Sequence, residues 1–133
     1  MANNFRFEDL DCWHHARKLT NLIYQTIHPD TIKNSNWLID DIQKTALTVM
    51  STIAEGACWN SNSEFMQFLE ISRSALIELH NYICIALDLG FIDEEGFKRL
   101  SDQSKTTSMV ISGMIKYLKN RSETQTTDLI PEN

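Results

Sequence analysis

The chain has 133 residues, of which 42% are hydrophobic and 23% are charged, with only 4 Gly and 2 Pro. This length suits one domain, and the lack of any run of about 18 apolar residues excludes a membrane-spanning helix. A net charge of -6 argues against a protein that coats nucleic acid with its whole surface, but it is compatible with a local basic patch.

The start of the chain and its cysteines indicate a protein of the reducing cytoplasm. MANNFRFEDL lacks the basic flank and the apolar run of a secretory signal, so a cytoplasmic protein is expected. Cys12, Cys58 and Cys84 are an odd number at no metal-motif spacing, which indicates free thiols. His80 and Cys84 share a helix face but lack further ligands at a suitable spacing, so no metal and no other cofactor is expected.

The first half of the chain predicts two amphipathic helices. The first runs from about Phe7 to Ile27, ends before Pro29, and is followed by a polar loop over residues 30–36. The second begins at Trp37 and ends at Gly56, where a glycine can take the left-handed conformation that closes a helix. Their apolar stripes are Leu10, Trp13, Ala16, Leu19, Ile23 and Ile27 in the first, and Leu38, Ile42, Thr45, Ala46, Val49 and Ile53 in the second.

Glu55 lies in the last turn of the second helix, where a carboxylate meets the negative end of the helix dipole. We therefore expect a cationic partner on another helix, with Arg73 and Arg17 as candidates, in a buried or half-buried ion pair that fixes helix register. A catalytic acid would need a second polar group within reach, and the sequence shows none.

The third predicted helix, from Glu64 to Leu89, has more apolar surface than the others. Ser61 and Glu64 have the spacing of a capping box, and Gly90 closes the helix. A first apolar line comprises Phe65, Leu69, Ser72, Leu76, Leu79, Ile83 and Ala86, and a second comprises Phe68, Ile71, Ala75, Tyr82, Ile85 and Leu89. The two lines cover roughly 160° of the helix, against the roughly 100° that a helix lying on one layer needs. Either this helix is central to a bundle, or one of its faces meets another subunit.

Two charged residues lie beside these lines. Arg73 lies near their edge, and Glu78 falls between them. An intersubunit salt bridge and a solvated flank are both compatible with this pattern.

The fourth predicted helix is capped by Asp93 and carries Phe97, Leu100, Ile111, Ile115 and Leu118 on one face. On the opposite face, Lys98, Lys105 and Lys116 align within roughly 20°, with Lys119 about 60° away. This lysine stripe is either an ordinary solvated face or a contact for phosphates or an acidic partner. The segment SDQSKTTS has weak helix formers and is expected to fray first.

These patterns predict an all-α protein, an antiparallel up-down-up-down four-helix bundle over residues 1–122 with a flexible tail over residues 123–133. A set of short motifs occurs over about residues 6 to 121: Phe7-Glu8-Asp9-Leu10 with Trp13 and Ala16, Ile53-Ala54-Glu55-Gly56, Ser63-Glu64-Phe65 with Phe68-Leu69, Glu78-Leu79, and Leu87 to Ile92. In these motifs the sequence resembles a bacterial four-helix-bundle family, the ribosomal RNA intervening-sequence proteins, which includes the accessory variability proteins of diversity-generating retroelements.

The resemblance implies a ring-shaped homopentamer without enzymatic activity, which in the retroelement branch binds nucleic acid and a reverse transcriptase. Three positions depart from the family pattern. Gln43-Lys44 replace arginines that are common in the second helix, Ala57-Cys58-Trp59 occur where a basic residue usually follows the glycine, and Ser74 replaces the usual glycine. Because affinity for nucleic acid scales with the number of phosphates neutralised, the first two differences lower the affinity to be expected.

The sequence is compatible with two functions. The first is an oligomeric accessory protein that binds a reverse transcriptase, RNA or DNA, and the alternative is a protein-interaction adaptor that binds no nucleic acid and uses Trp59 as an anchor. We find no nucleophile with a base, no phosphate loop and no paired carboxylates, so neither an enzyme nor a small-molecule substrate is expected. The candidate binding residues are Lys98, Lys105, Lys116, Lys119, Arg17 and Lys18, and the candidate oligomer-interface or structural residues are Phe68, Ile71, Arg73, Glu78, Tyr82, Glu55 and Gly56.

Overall fold

The computed structural model of the chain describes the backbone of residues 5–27 and 37–129 and the side chains of those residues through 122. A short 3-10 helix, Phe7–Asp9, precedes four α-helices: α1 (Asp11–Thr26), α2 (Trp37–Ala57), α3 (Asn62–Asp88) and α4 (Glu94–Leu129). No strand occurs in this part of the chain, so the all-α class and its four helices are confirmed. The predicted stop at Pro29 and the predicted loop over residues 30–36 lie outside the described residues, as do residues 130–133.

The four helices enclose one hydrophobic core. Helices α1 and α3 each pack against both α2 and α4. Every residue of the first apolar line of α3 is buried, and so is the whole predicted stripe of α2. Ser72 is the one hydroxyl in that line of α3, and it donates a hydrogen bond of 2.7 Å to the carbonyl oxygen of Val49 on α2. A buried hydroxyl without such a partner would cost about 1–3 kcal/mol.

The helix caps follow the predicted chemistry. The Ser61 hydroxyl accepts a hydrogen bond of 3.0 Å from the backbone N–H of Glu64, and Asp93 Oδ1 accepts one of 2.7 Å from the backbone N–H of Gly96. Both bonds satisfy backbone donors that a helix start leaves without a partner. Gly90, with φ of 77°, ends α3 in the left-handed conformation, as predicted.

Gly56 has a different role from the predicted one. Among the glycines, only Gly90 has a positive φ, and α2 continues through Gly56 to Ala57. A Cβ atom at Gly56 would lie 2.7 Å from Cβ of Phe68 and 2.8 Å from a ring carbon of Phe65. Glycine is therefore needed because α2 and α3 approach closely at this point, and the prediction that Gly56 closes α2 in the left-handed conformation was wrong.

Polar side chains attach the middle of α4 to α1. The Thr107 hydroxyl and the Gln103 side-chain amide both lie 3.2 Å from the carbonyl oxygen of His15. Gln103 and Thr107 are buried at this contact. This segment of weak helix formers is helical throughout, so tertiary contacts with α1 compensate for its low propensity. That it frays first stays a prediction.

Helix α4 extends beyond the expected domain boundary at residue 122 and ends at Leu129. Helical backbone over residues 123–129 differs from the structureless segment that the sequence suggested. The flexibility of this segment stays a prediction.

Replacing Gly56 by alanine should destabilise the fold by about 1–3 kcal/mol, because the added methyl group overlaps Phe65 and Phe68. Thermal or urea unfolding followed by circular dichroism measures the change. Gly113→Ala is the matched control, since nothing lies within 4 Å of a Cβ atom at that exposed position in α4. The control should gain about 0.5–1 kcal/mol from helix propensity. Equal stability changes for the two variants would contradict the close approach.

Candidate partner-binding site

The lysine stripe of α4 faces solvent. Lys98, Lys105, Lys116 and Lys119 are all exposed. Among the described side chains, the cations of the salt bridges are arginines: Arg6 with Glu8 and Asp9, Arg73 with Glu70, and Arg99 with Glu95. The four lysines therefore remain available to an anionic partner.

A groove with a volume of about 740 Å³ runs between α3 and α4 beside this stripe. Its wall on α4 contains four serines, Ser101, Ser104, Ser108 and Ser112, at the three- and four-residue spacings that place side chains on one face of a helix. Packed helices normally fill the space between them with large interdigitating side chains. The small serine side chains leave this space open, which explains the groove.

The groove combines exposed apolar side chains with a cationic edge on α4. Ile77 of α3 and Met109 of α4 line it and are the two most exposed large hydrophobic residues of the described chain, at 71% and 68%. Leu76 and Phe97 also line it. Lys105 is part of the α4 wall and Met109 lies within roughly 20° of the lysine stripe around the helix axis. An apolar contact and a cationic contact are thus offered side by side.

Arg73 lies at one end of the groove. Its guanidinium group donates a hydrogen bond of 3.0 Å to the Ser112 hydroxyl and pairs with Glu70 at 2.5 Å. Arg73 thus joins α3 to α4 within the chain, and the structure gives it no contact with Glu55.

Glu55 is exposed, and no salt bridge involves it within the described part of the chain. The second predicted partner, Arg17, lies over the Trp13 ring, 5.6 Å from the ring centroid. A buried or half-buried ion pair of Glu55 within the chain was therefore a wrong prediction, because Glu55 is exposed and both arginines contact other groups, Arg73 with Glu70 and Ser112 and Arg17 with Trp13.

The second apolar line of α3 is only partly covered. Ile71 and Leu89 are 51% and 57% exposed, while Phe68 and Tyr82 are half-buried. Phe68 stacks on the ring of Trp59 with centroids 6.0 Å apart. We call the surface formed by Phe68, Ile71, Tyr82, Ile85 and Leu89 the outer face of α3.

Glu78 lies beside the outer face and is exposed. It accepts a hydrogen bond of 2.6 Å from the Tyr82 hydroxyl. This hydrogen bond to the carboxylate raises the pKa of Tyr82. Within one chain, Glu78 therefore contacts its own helix, and the intersubunit salt bridge stays a prediction.

Arg17 and Lys18 lie apart from the α4 lysines. Both are exposed on α1 and line a shallow depression formed by α1 residues alone, together with His14, Asn21 and Gln25. From the sequence, Arg17 and Lys18 were predicted to bind the same partner as the α4 lysines. The α3–α4 groove contains neither Arg17 nor Lys18.

The described residues hold no group of three His, Cys, Asp or Glu side chains that could bind a metal ion. His80 and Cys84 approach each other, with Nε2 and Sγ 3.7 Å apart, but they form a pair only. Across residues 5–27 and 37–129, no helix combines the length and the apolar character needed to cross a bilayer.

The groove itself was not predicted from the sequence. Ile77 fell outside both apolar lines of α3, and Met109 fell outside the apolar face predicted for α4. The signal was the run of serines on the face of α4 that also carries Phe97, since small residues on a core-facing side indicate a helix that does not pack tightly there.

Comparison with known proteins supports a family assignment. A family model described as 23S rRNA-intervening sequence protein matches residues 8–113. A crystal structure of a protein with unknown function, from the S23 ribosomal protein family of Bacteroides thetaiotaomicron, superposes with a TM-score of 0.65. It is 15% identical in sequence, and the match covers 79% of this chain and 94% of that one. At this identity the likeness concerns the fold alone. No curated protein matches the chain.

The buried thiol of Cys12 should make stability fall at alkaline pH. Burial raises the pKa of this thiol from its ordinary 9.0 to about 11. Well below pH 9 the thiol is protonated in both states, whereas between pH 9 and 11 the thiol of the unfolded chain ionises first and the free energy of unfolding decreases. Urea unfolding across this range measures the slope, and Cys12→Ala should flatten it while Tyr82 contributes equally to both proteins. An unchanged slope would contradict the assignment.

Proposed function

Since the chain belongs to the 23S rRNA-intervening sequence protein family, we propose that it is a non-catalytic scaffold that assembles with copies of itself. The observation that carries the proposal is the exposed outer face of α3. Ile71 and Leu89 lie in the solvent on the same helix whose first apolar line is completely buried. Covering such side chains contributes roughly 25 cal/mol for each Å² of apolar surface removed from water. A second copy of the chain is the proposed cover.

Alternating helix directions are part of the proposed architecture. Contacts within three pairs of helices support them. Helix α1 meets α4 at His15–Thr107 and Thr26–Gly96, and α2 meets α3 at Gly56–Phe65 and Thr52–Ser72. Helix α3 meets α4 at Arg73–Ser112 and His80–Phe97. In each pair of helices, later residues of one meet earlier residues of the other. A closed ring of five copies is what the family resemblance implies, and it stays part of the proposal.

Ile71→Glu should weaken self-assembly, because it would place a carboxylate in the proposed apolar interface. Sedimentation velocity at several protein concentrations measures the assembled fraction. Ile77→Glu is the matched control: it makes the same substitution on the same helix, at a more exposed residue on the groove side. The control should assemble like the unmodified protein. If Ile77→Glu impaired assembly and Ile71→Glu did not, the interface would lie on the other side of α3, and the proposal would be contradicted.

A second candidate function is binding of RNA or DNA, alone or together with a reverse transcriptase. The observation that favours it is the exposure of Lys98, Lys105, Lys116 and Lys119 without carboxylate partners among the described side chains. Assembly would repeat these cations in every copy, and counterion release strengthens binding with each phosphate neutralised. Arg17 and Lys18 would add a separate basic contact on α1.

Gel shifts with single-stranded RNA and with double-stranded DNA, each at a low and a moderate salt concentration, test this candidate. Lys105→Glu and Lys116→Glu should each lower the affinity and reduce the slope of log affinity against log salt, by about one for each phosphate that a copy no longer neutralises. Lys44→Glu on α2 is the charge-matched control, since Lys44 is exposed but lies on another helix. Failure of both nucleic acids to shift at low salt would leave a scaffold that binds protein alone.

A further inference from the structure

We propose that the groove between α3 and α4 binds an amphipathic helix with acidic residues, supplied by a partner protein. The groove lies within one protomer, so the inference goes beyond self-assembly and does not depend on it. Its grounds are the shape of the groove, its exposed apolar side chains and the sign of the charge at its edge.

The shape fits a helix. On α4 the groove is lined from Phe97 to Ser112, which at 1.5 Å rise per residue is roughly 22 Å, or about four helical turns. On α3 it is lined by Leu76, Ile77 and His80, which span about one turn. Packed helices lie about 8–10 Å apart, and the distance depends on the side chains between them. The small serine side chains of the α4 wall would permit a close approach. A partner helix in the groove would therefore complete the packing that α3 and α4 leave unfinished.

The apolar residues provide anchoring points for that helix. Ile77 and Met109 project from opposite walls, with Leu76 and Phe97 also lining the groove. A helix that lies in a groove uses apolar residues at i, i+3 or i+4, and i+7. Met109 suits this role because its flexible thioether adapts to different apolar shapes. Binding would cover the two most exposed large hydrophobic residues of the described chain.

The charge at the groove edge selects an acidic partner. Lys98, Lys105 and Lys116 lie along the same side of α4, and Arg73 lies at the end of the groove, where Glu70 pairs with it. Asp102 is the only carboxylate that lines the groove. Lys105 and Asp102 offset each other in the lining, as do Arg73 and Glu70 at its end, so among these residues the positive charge that remains comes from Lys98 and Lys116, which lie beside the groove and not in its lining. Complementary charge at the edge of an interface fixes orientation and accelerates association.

A peptide fits this surface better than a nucleic acid does. Met109 lies between Lys105 and Lys116 along α4, and Ile77 faces the same groove. A phosphate backbone would place charge against both apolar side chains without covering them. An amphipathic helix would cover them and still place carboxylates beside the lysines.

The experiment uses a synthetic, fluorescently labelled helix of about 15 residues, long enough to span the groove. Leucines at i, i+4, i+7 and i+11 form its apolar face, glutamates flank that face, and alanine and glutamine fill the rest. One control peptide replaces every glutamate by lysine, and another has the same composition in scrambled order. Fluorescence anisotropy with the full-length protein measures the dissociation constants at low and moderate salt.

We expect the acidic peptide to bind at least about tenfold more tightly than both controls, and more weakly at higher salt. Met109→Glu and Lys105→Glu should each weaken it about tenfold, as substitution of an anchor does. Leu47→Glu and Lys44→Glu, both on α2, repeat these changes at exposed residues outside the groove and should leave binding unchanged. In Lys105→Glu, the preference between the acidic and the lysine peptide should shift toward lysine.

Any of four results would overturn the inference: no binding of the acidic peptide, equal binding of the scrambled or lysine peptide, an equal loss of peptide binding in Lys44→Glu, or a loss of peptide binding in Ile71→Glu but not in Ile77→Glu. Circular dichroism of each variant checks that the fold is intact. Ile77→Glu should lose the peptide while assembly persists, and Ile71→Glu should lose assembly while the peptide still binds. The peptide site and self-assembly are thereby tested separately.

Discussion

Apolar side chains cover more of α3 than α2 and α4 can bury. Its first line, from Phe65 to Ala86, fills the core, whereas Ile71 and Leu89 of the outer face remain in the solvent. The same helix also approaches α2 so closely at Gly56 that no Cβ atom fits there. The position of α3 therefore fixes the core, the close contact with α2 and the apolar surface that the other helices leave exposed. Self-assembly is the proposed consequence of this constraint.

Helix α4 meets its two neighbours in different ways. Toward α1 it presents buried polar groups, and Gln103 and Thr107 bond to the backbone of His15. Toward α3 it presents serines, which are too small to fill the space between the helices. The first contact holds a segment of low helix propensity in place, and the second leaves a groove beside exposed lysines. One helix thus contributes both to the core and to the proposed partner surface.

Much of the fold followed from local rules. The burial of the first line of α3, the Ser61 and Asp93 caps and the left-handed Gly90 all depend on spacing and on residue type, which the sequence displays directly. Features that depend on the distance between helices could not be predicted from the sequence. The role of Gly56 requires knowledge of how closely Phe65 and Phe68 approach, and the partner of Arg73 depends on whether Glu70 or Glu55 lies within reach. The groove was not predicted for the same reason, since it depends on the distance between α3 and α4.

The central claim is that the outer face of α3 is covered by another copy of the chain. Light scattering of the unmodified protein, coupled to size-exclusion chromatography over a range of micromolar concentrations, tests it most directly. The account predicts a mass several times the 15.4 kDa of one chain. A mass of 15.4 kDa at every concentration would contradict it, because the outer face of α3 would then remain in water.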